Sequence, residues 1–403
     1  MKKGGVWVSG IGCLCAAGPD VERATDALFG PRLLPAAPRR FESAYGGSYP
    51  AYELAPACAD LLVARPSGGG PLLSRTAQMA VAAARQALAD AGYEPAALRG
   101  RRVGVCVGTT VGNSTNFEDF HKASRSADPA LDPVWQYLRG NPAAVLAREF
   151  GWDGPCMTVS NACAAGGDAI AQATEWLRQD VCDLALAGGA DELSRITYLG
   201  FIALLITDKE PCRPFDASRA GLNLGEGAAM LLLQRPGVRG LVPRRWRGQV
   251  LGYGSASDAH HVTAPHPEGR GLRVAIREAL DDADLASSDL AFVKAHGTGT
   301  VDNERVESRV LNELLPGIPY FSVKGAIGHT LGAAGAIEAA LTLACLERGR
   351  IPASAGFLEA SAEVAMGPQR VTCDSQRGAA LAQSLAFGGS NTVLALARAD
   401  YGG

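Results

Sequence analysis

Lysine is scarce in this chain: six of its 38 basic residues are lysines, and 41 acidic residues leave a net charge of −3. That balance excludes a globally basic nucleic-acid binder and leaves room only for local arginine patches. Histidine is equally sparse, six in 403 residues, so a histidine inside a motif stands out. Long apolar runs are missing too. The longest uncharged stretch, residues 378–397, carries Gln383, Ser384, Ser390, Asn391 and three glycines, whereas a membrane-spanning helix needs ~20 predominantly apolar residues. The ten cysteines contain no C-x-x-C pair. Their spread excludes a disulfide framework and a zinc ribbon, several lie in apolar runs where a thiol packs as a small hydrophobe, and a reducing cytosol is expected.

What is present is the composition of a large globular core, with 47% hydrophobic and 20% charged residues. Such a length fits two or three units or one duplicated unit. At the start, Lys2 and Lys3 precede an apolar stretch to Ala17 with the outline of a short signal peptide. Gly4, Gly5, Gly10 and Gly12 interrupt it, and V-W-V-S-G-I-G reads instead as a strand entering a tight turn.

The chain echoes itself in order. A-R-Q-A-L-A-D-A-G at 84–92 precedes V-G-V-C-V-G-T at 103–109, and I-R-E-A-L-D-D-A-D at 276–284 precedes L-A-F-V-K-A-H-G-T at 290–298. Each is an amphipathic helix, a short polar loop and a strand ending in Gly-Thr. A second echo follows each first one: A-A-G-G-D-A-I at 164–170 and A-A-G-A-I at 333–337 both open helices, to about Gln179 and Arg348. Strands alternating with helices predict α/β layers and a largely parallel sheet. Two halves are expected, 1–240 and 248–403, joined by the arginine-rich stretch 235–247.

Cys163 sits in S-N-A-C-A-A-G-G, at a strand-to-helix turn. The positive end of a helix favours thiolate there, and small neighbours let backbone and substrate approach. A packed core cysteine is the other reading. His296, in K-A-H-G-T-G-T, ends a predicted strand, and His329, in K-G-A-I-G-H-T-L-G-A-A-G, precedes a helix. Strand ends of such sheets gather catalytic loops, although a lone loop histidine is as often satisfied by backbone. Lys324 lies just before His329 and Glu338 just after it. The turn L-A-F-G-G-S-N at 385–391 offers either N–H groups for an oxyanion hole or a simple hairpin. Three further histidines in D-A-H-H-V-T-A-P-H-P at 258–267 lack the carboxylate or cysteine pattern of a metal site.

These motifs, with V-S-G-I-G at the start, P-C-R-P-F-D at 211–216 and G-L-N-L-G-E-G-A at 221–228, stand in the order and spacing of the β-ketoacyl-acyl-carrier-protein synthases, which the whole chain resembles. The resemblance implies a thiolase-like α/β fold, two duplicated halves in a five-layered αβαβα core. It implies an acyltransferase without cofactor or metal. Cys163 takes the acyl chain from a carrier thioester; His296 and His329 stabilise the enolate formed as malonyl-carrier loses CO2. Lys324 orients from behind, paired with Glu338. The amides of Cys163 and Phe387 form the oxyanion hole, and the Phe387 ring gates the acyl pocket. Substrate contacts are implied at Thr298, Thr300, Gly388 and Gly389.

The implied partners are acyl- and malonyl-loaded carrier protein, arriving in trans, and a second subunit: a homodimer, or a heterodimer with a cysteine-less homologue, without nucleic acid or membrane. Arg99, Arg101, Arg102 and the arginines of 244–247 are candidates to meet an acidic carrier. The chain departs from the family at Ala164-Ala165, where hydroxylic residues are commoner, at Val301 in place of Pro, and at Asn303-Glu304 in place of Asn-Asp. Residues 113–139 match poorly where pocket and interface elements are expected. Two alternatives stay open: a non-catalytic chain-length partner, against which Cys163 itself argues, and a thiolase or coenzyme-A-dependent synthase. Fatty-acid, polyketide and polyene assembly all use this machinery, with Asn161 and G-L-N-L-G-E-G leaning towards a specialised pathway.

Overall fold

The computed structural model describes residues 5–70, 72–112, 118, 121–125, 134, 138–238 and 240–402. Most of 113–139, where pocket and interface elements were expected, lies outside the described residues. Ten strands make one sheet: β1 Val6–Cys15, β2 Val103–Gly108, β3 Cys156–Val159, β4 Leu184–Asp191, β5 Gly227–Gln234, β6 Gly248–Ser257, β7 Leu290–Lys294, β8 Tyr320–Phe321, β9 Ala379–Leu385 and β10 Ser390–Ala397. Their spatial order is β3-β2-β4-β5-β1, then β6-β10-β9-β7-β8. Read from its own outer edge, the second run is 8-7-9-10-6, which is the first run with five added to each label. The repeat in the sequence is therefore a repeat in topology. Stretch 235–247 links β5 to β6, and the two runs join where Val6–Val8 pair with Val250–Gly248.

The expectation of a largely parallel sheet is corrected. Only β2–β3, β2–β4, β7–β8 and β7–β9 run parallel, and the five central pairings are antiparallel. Strands buried on both faces read as continuous apolar runs in either orientation, so the pattern could not distinguish them. Residues β4, β5 and β9 show why: every position in all three is buried.

The main helices are α1 Val21–Phe29, α2 Arg75–Ala91, α3 Pro142–Phe150, α4 Ala165–Arg178, α5 Arg195–Ala203, α6 Arg270–Ala283, α7 Val301–Leu314 and α8 Ala334–Arg348. Helix α2 starts where the Ser74 side chain accepts the Ala77 N–H and stops at Gly92 in the left-handed region. It lies with α3 outside the first half-sheet, and α6 lies with α7 outside the second. Helices α4 and α8 fill the middle, each against strands of both halves, which gives five layers. Helix α8 is buried on every side from Ala334 to Leu346, with Glu338 its one charged residue in that span, as suits a central-layer helix.

Two close approaches fix the layers. Strand β1 does not turn at G-I-G as expected but continues to Cys15, because α2 rides directly on its backbone. A Cβ at Gly10 would lie 2.0 Å from the Ala87 carbonyl oxygen, and one at Gly12 would lie 1.9 Å from that of Ala83. In the middle layer, a Cβ at Gly166 would lie 2.7 Å from the Gly332 oxygen, and one at Gly335 would lie 2.5 Å from the Gly167 nitrogen. The small residues after Cys163 thus serve the contact between α4 and α8, rather than the substrate alone. Among the described residues no helix is long and apolar enough to cross a membrane.

Candidate active site

Cys163 follows β3 and stands one turn before α4, after Ala162, whose φ of 44° is left-handed. Asn161 holds this turn from both halves. Its Nδ2 donates to Asp168 Oδ2 at 2.6 Å, and its Oδ1 accepts from Ser390 Oγ at 2.9 Å. The thiol is 5% exposed, and the Phe387 N–H donates to it. Burial pushes the thiol up to about 12, and the Lys324 charge offsets this only in part. The expectation of a resting thiolate is therefore corrected. A helix terminus contributes ~0.3–1 kcal/mol, too little against desolvation of an anion in a dry wall.

The 385–391 turn is a hairpin between β9 and β10, and its Phe387 N–H is the backbone donor to the thiol. Phe387 stacks on Phe201 of α5, ring centroids 5.8 Å apart at 15°. Gly388 donates its N–H to the Val262 oxygen at 2.7 Å and Gly389 to that of Ala386 at 3.1 Å. Their amides shape the turn and are engaged before any substrate arrives.

His296 continues from β7. Its main-chain N–H donates to Glu307 Oε1 at 2.6 Å, and that of Gly297 donates to Oε2 at 2.9 Å. The Lys324 ammonium lies 3.2 Å from His296 Nδ1 and donates to its carbonyl at 2.6 Å. An ammonium can only donate, so Nδ1 accepts and the ring proton belongs on Nε2. His329 reaches the same tautomer by another route: its Nδ1 accepts the Leu331 N–H at 3.1 Å, from a left-handed residue with φ 54°. The rings meet edge to face, 5.3 Å between centroids. Burial, then the Lys324 charge, lowers both imidazoles well below the usual histidine range. Both are neutral, and each keeps one Nε2–H donor.

Cys163, His296, His329 and Phe387 line one cavity of about 300 Å³, together with Thr298, Thr300 and the 263–265 lip. Thr298 and Thr300 share a hydroxyl hydrogen bond of 2.8 Å. His261 and His266, of the three-histidine loop, each use Nδ1 to accept backbone N–H groups. Lys324 and Glu338 lie behind His296, are joined at 2.6 Å, and do not line the cavity. Lys294, Glu307, Phe201 and Asp191 were missed by sequence reading. Asp191 ties the halves: it accepts from Thr109 Oγ1 at 2.5 Å, Thr110 N–H at 2.7 Å and Gly332 N–H at 2.6 Å. Of these four, only Lys294 left a signal, being a rare lysine two residues from a motif histidine.

A buried thiol facing two neutral imidazole donors suits acyl transfer followed by stabilisation of an enolate oxygen. Comparison with known proteins agrees: residues 4–237 match the model of the β-ketoacyl synthase N-terminal domain and residues 247–358 that of its C-terminal domain. The chain belongs to the β-ketoacyl synthase family. It is 34% identical over 352 residues to the tetracenomycin polyketide synthase ketoacyl synthase alpha subunit of Streptomyces glaucescens, covering 80% of this chain and 81% of that one. It is 30% identical over 343 residues to the 3-oxoacyl-[acyl-carrier-protein] synthase 2 of a Synechocystis species, covering 80% and 81%. Among solved structures, the ishigamide ketosynthase/chain length factor superposes with a TM-score of 0.88 at 31% identity, over 98% of this chain and 99% of that one. This ketosynthase is a condensing acyltransferase of thiolase-like fold, from a family that serves fatty-acid and polyketide synthesis.

Proposed function

We propose that Cys163, His296 and His329 divide the condensation between them. The Cys163 sulfur attacks the acyl thioester, and the carrier thiol leaves with the proton. Malonyl-carrier then enters the emptied mouth. Its C–C bond to the carboxylate breaks, CO2 departs, and the electron pair moves onto the thioester oxygen between the two Nε2–H donors. The enolate carbon attacks the acyl-cysteine carbonyl, whose oxyanion is held by the amides of Cys163 and Phe387. Collapse expels the Cys163 thiolate. The observation that carries this reading is the tautomer lock: two buried rings, fixed independently as neutral donors on the cavity that holds the thiol.

Thr298 and Thr300 are assigned to the carrier's pantetheine arm and Phe387 to gating. The carrier arrives in trans. Arg102 is already paired with Asp180 and Asp183, and Arg245 and Arg247 are both paired with Glu22, Asp90 and Glu347, which leaves Arg99, Arg101 and Arg244 as the better docking candidates of those groups. The second subunit is assigned as a cysteine-less homologue, supported by likeness to the ishigamide pair; a homodimer is the other outcome of co-purification. Ten free thiols and the polyketide relatives favour the cytosol and a specialised acyl pathway. The halves 1–240 and 248–403 are read as copies of one ancestral unit. Incubation with radiolabelled acyl-carrier followed by peptide mapping tests the assignment: label is expected on Cys163, and label on any other cysteine overturns it.

A further inference from the structure

Lys294 ends β7, two residues before His296, and is fully buried without lining the cavity. Its ammonium donates to Glu338 Oε2 and, at 2.6 Å, to the Gln383 carbonyl on β9. The other Glu338 oxygen holds Lys324 at 2.6 Å. One carboxylate of α8 therefore stands between two ammoniums, and only the second reaches a reacting group. Lys324 directs its remaining donors to the His296 carbonyl and Nδ1. Glu307, on α7, supplies the second buried carboxylate. Two cations and two anions cancel in a space that water does not reach.

We propose that Lys294 is a positioning residue for malonyl decarboxylation: by occupying one oxygen of Glu338, it keeps Lys324 against His296 and the imidazole in its Nε2–H tautomer. Without it, a carboxylate with one bare oxygen in a low-dielectric pocket draws Lys324 into both of its oxygens. The ammonium leaves Nδ1, the ring is free to carry its proton there, and the cavity loses one of its two donors. Lys294 itself puts no charge on Cys163; the thiol meets the change only as Lys324, whose charge reaches it, shifts towards Glu338.

Burial brings the Lys294 ammonium down to about 8, with Glu338 favouring its charged form against desolvation. Facing it are Glu338 from α8, Lys324 from the following turn, Glu307 from α7 and the Gln383 carbonyl from β9. Loss of its proton is loss of the positioning charge, so decarboxylation carries an alkaline limb near that pH.

The inference rests on the proposed roles of His296 and Cys163, and its test separates the two half-reactions in the full chain with its partner subunit. In Lys294→Met, kcat for malonyl-carrier decarboxylation should fall by about 10–100-fold, as when a partner behind a reacting group is removed. KM should stay within about two-fold, Cys163 acylation should fall by far less than decarboxylation, and the alkaline limb should vanish. In Lys294→Ala, ammonium chloride should restore decarboxylation where sodium chloride at equal ionic strength does not. A Lys294→Met enzyme with wild-type decarboxylation and wild-type pH profile overturns the proposal. So does equal loss of both half-reactions in both variants without recovery in ammonium, which marks a purely structural lysine. Failure of the underlying roles looks different: wild-type label off Cys163, whatever residue 294 is.

Discussion

The two halves share one topology and meet the cavity with opposite chemistry. The first brings a thiol, a strained turn and backbone, and its carboxylates, half-buried Asp168 and buried Asp191, are held by hydroxyls, an amide side chain and main-chain N–H groups. The second brings two imidazoles backed by Lys294, Lys324, Glu307 and Glu338. Duplication supplied equivalent strand ends. What differs is the requirement placed on each. On the proposed roles, a nucleophile that waits uncharged is served by a dry wall, whereas a hydrogen-bond donor must be held in one tautomer, and a fixed ammonium does that for His296.

If this contrast is right, the halves can be disabled separately. The largest effect belongs to Cys163→Ala, which should abolish acyl transfer while malonyl decarboxylation continues, because the donors of the second half remain. Condensation by that variant would break the comparison outright. Next come His296→Ala and His329→Ala. Each removes one enolate donor and should lower decarboxylation by about 10²–10³-fold, or ~3–4 kcal/mol. Acylation of Cys163, followed by burst release of the carrier thiol, should respond far less. Equal losses in both steps would mean that the halves do not divide the work.

A smaller effect probes the neutral wall itself. With the thiol pushed up to about 12, only the rising thiolate fraction reacts with iodoacetamide. Alkylation of Cys163 should climb about tenfold per pH unit from pH 6.5 to 8.5 with no plateau, since the folded value lies above that window. The sign follows from burial, which disfavours the anion. A plateau near pH 7 would show the first half to be as charge-assisted as the second.

Much of this was legible in the sequence, and the limits follow one rule. Cys163, His296, His329 and Phe387 were found because each sits in a glycine-rich turn whose spacing carries information. Lys324 and Glu338 were found through the same motif, fourteen positions apart on one continuous segment. Lys294 with Glu338 and Asp191 with Gly332 are long-range pairings, 44 and 141 positions apart, and nothing local in the chain announces them. Strand direction was lost for the reason that made strands easy to find, burial on both faces. The thiol's protonation was misjudged because a helix terminus is visible in sequence and desolvation is not.

The seam in which Gly166 meets Gly332 and Gly335 meets Gly167 has an evolutionary reading. Cys163 stands just before one helix of this pair and His329 just before the other, so the backbone-to-backbone seam sets the distance between them. A displacement of about 1 Å in such an arrangement costs on the order of 10²-fold in rate. Each half is therefore inherited as the other's ruler. Copies that began interchangeable have become mutually calibrated, and grafting either half from a distant relative requires bringing its partner's side of the seam along with it.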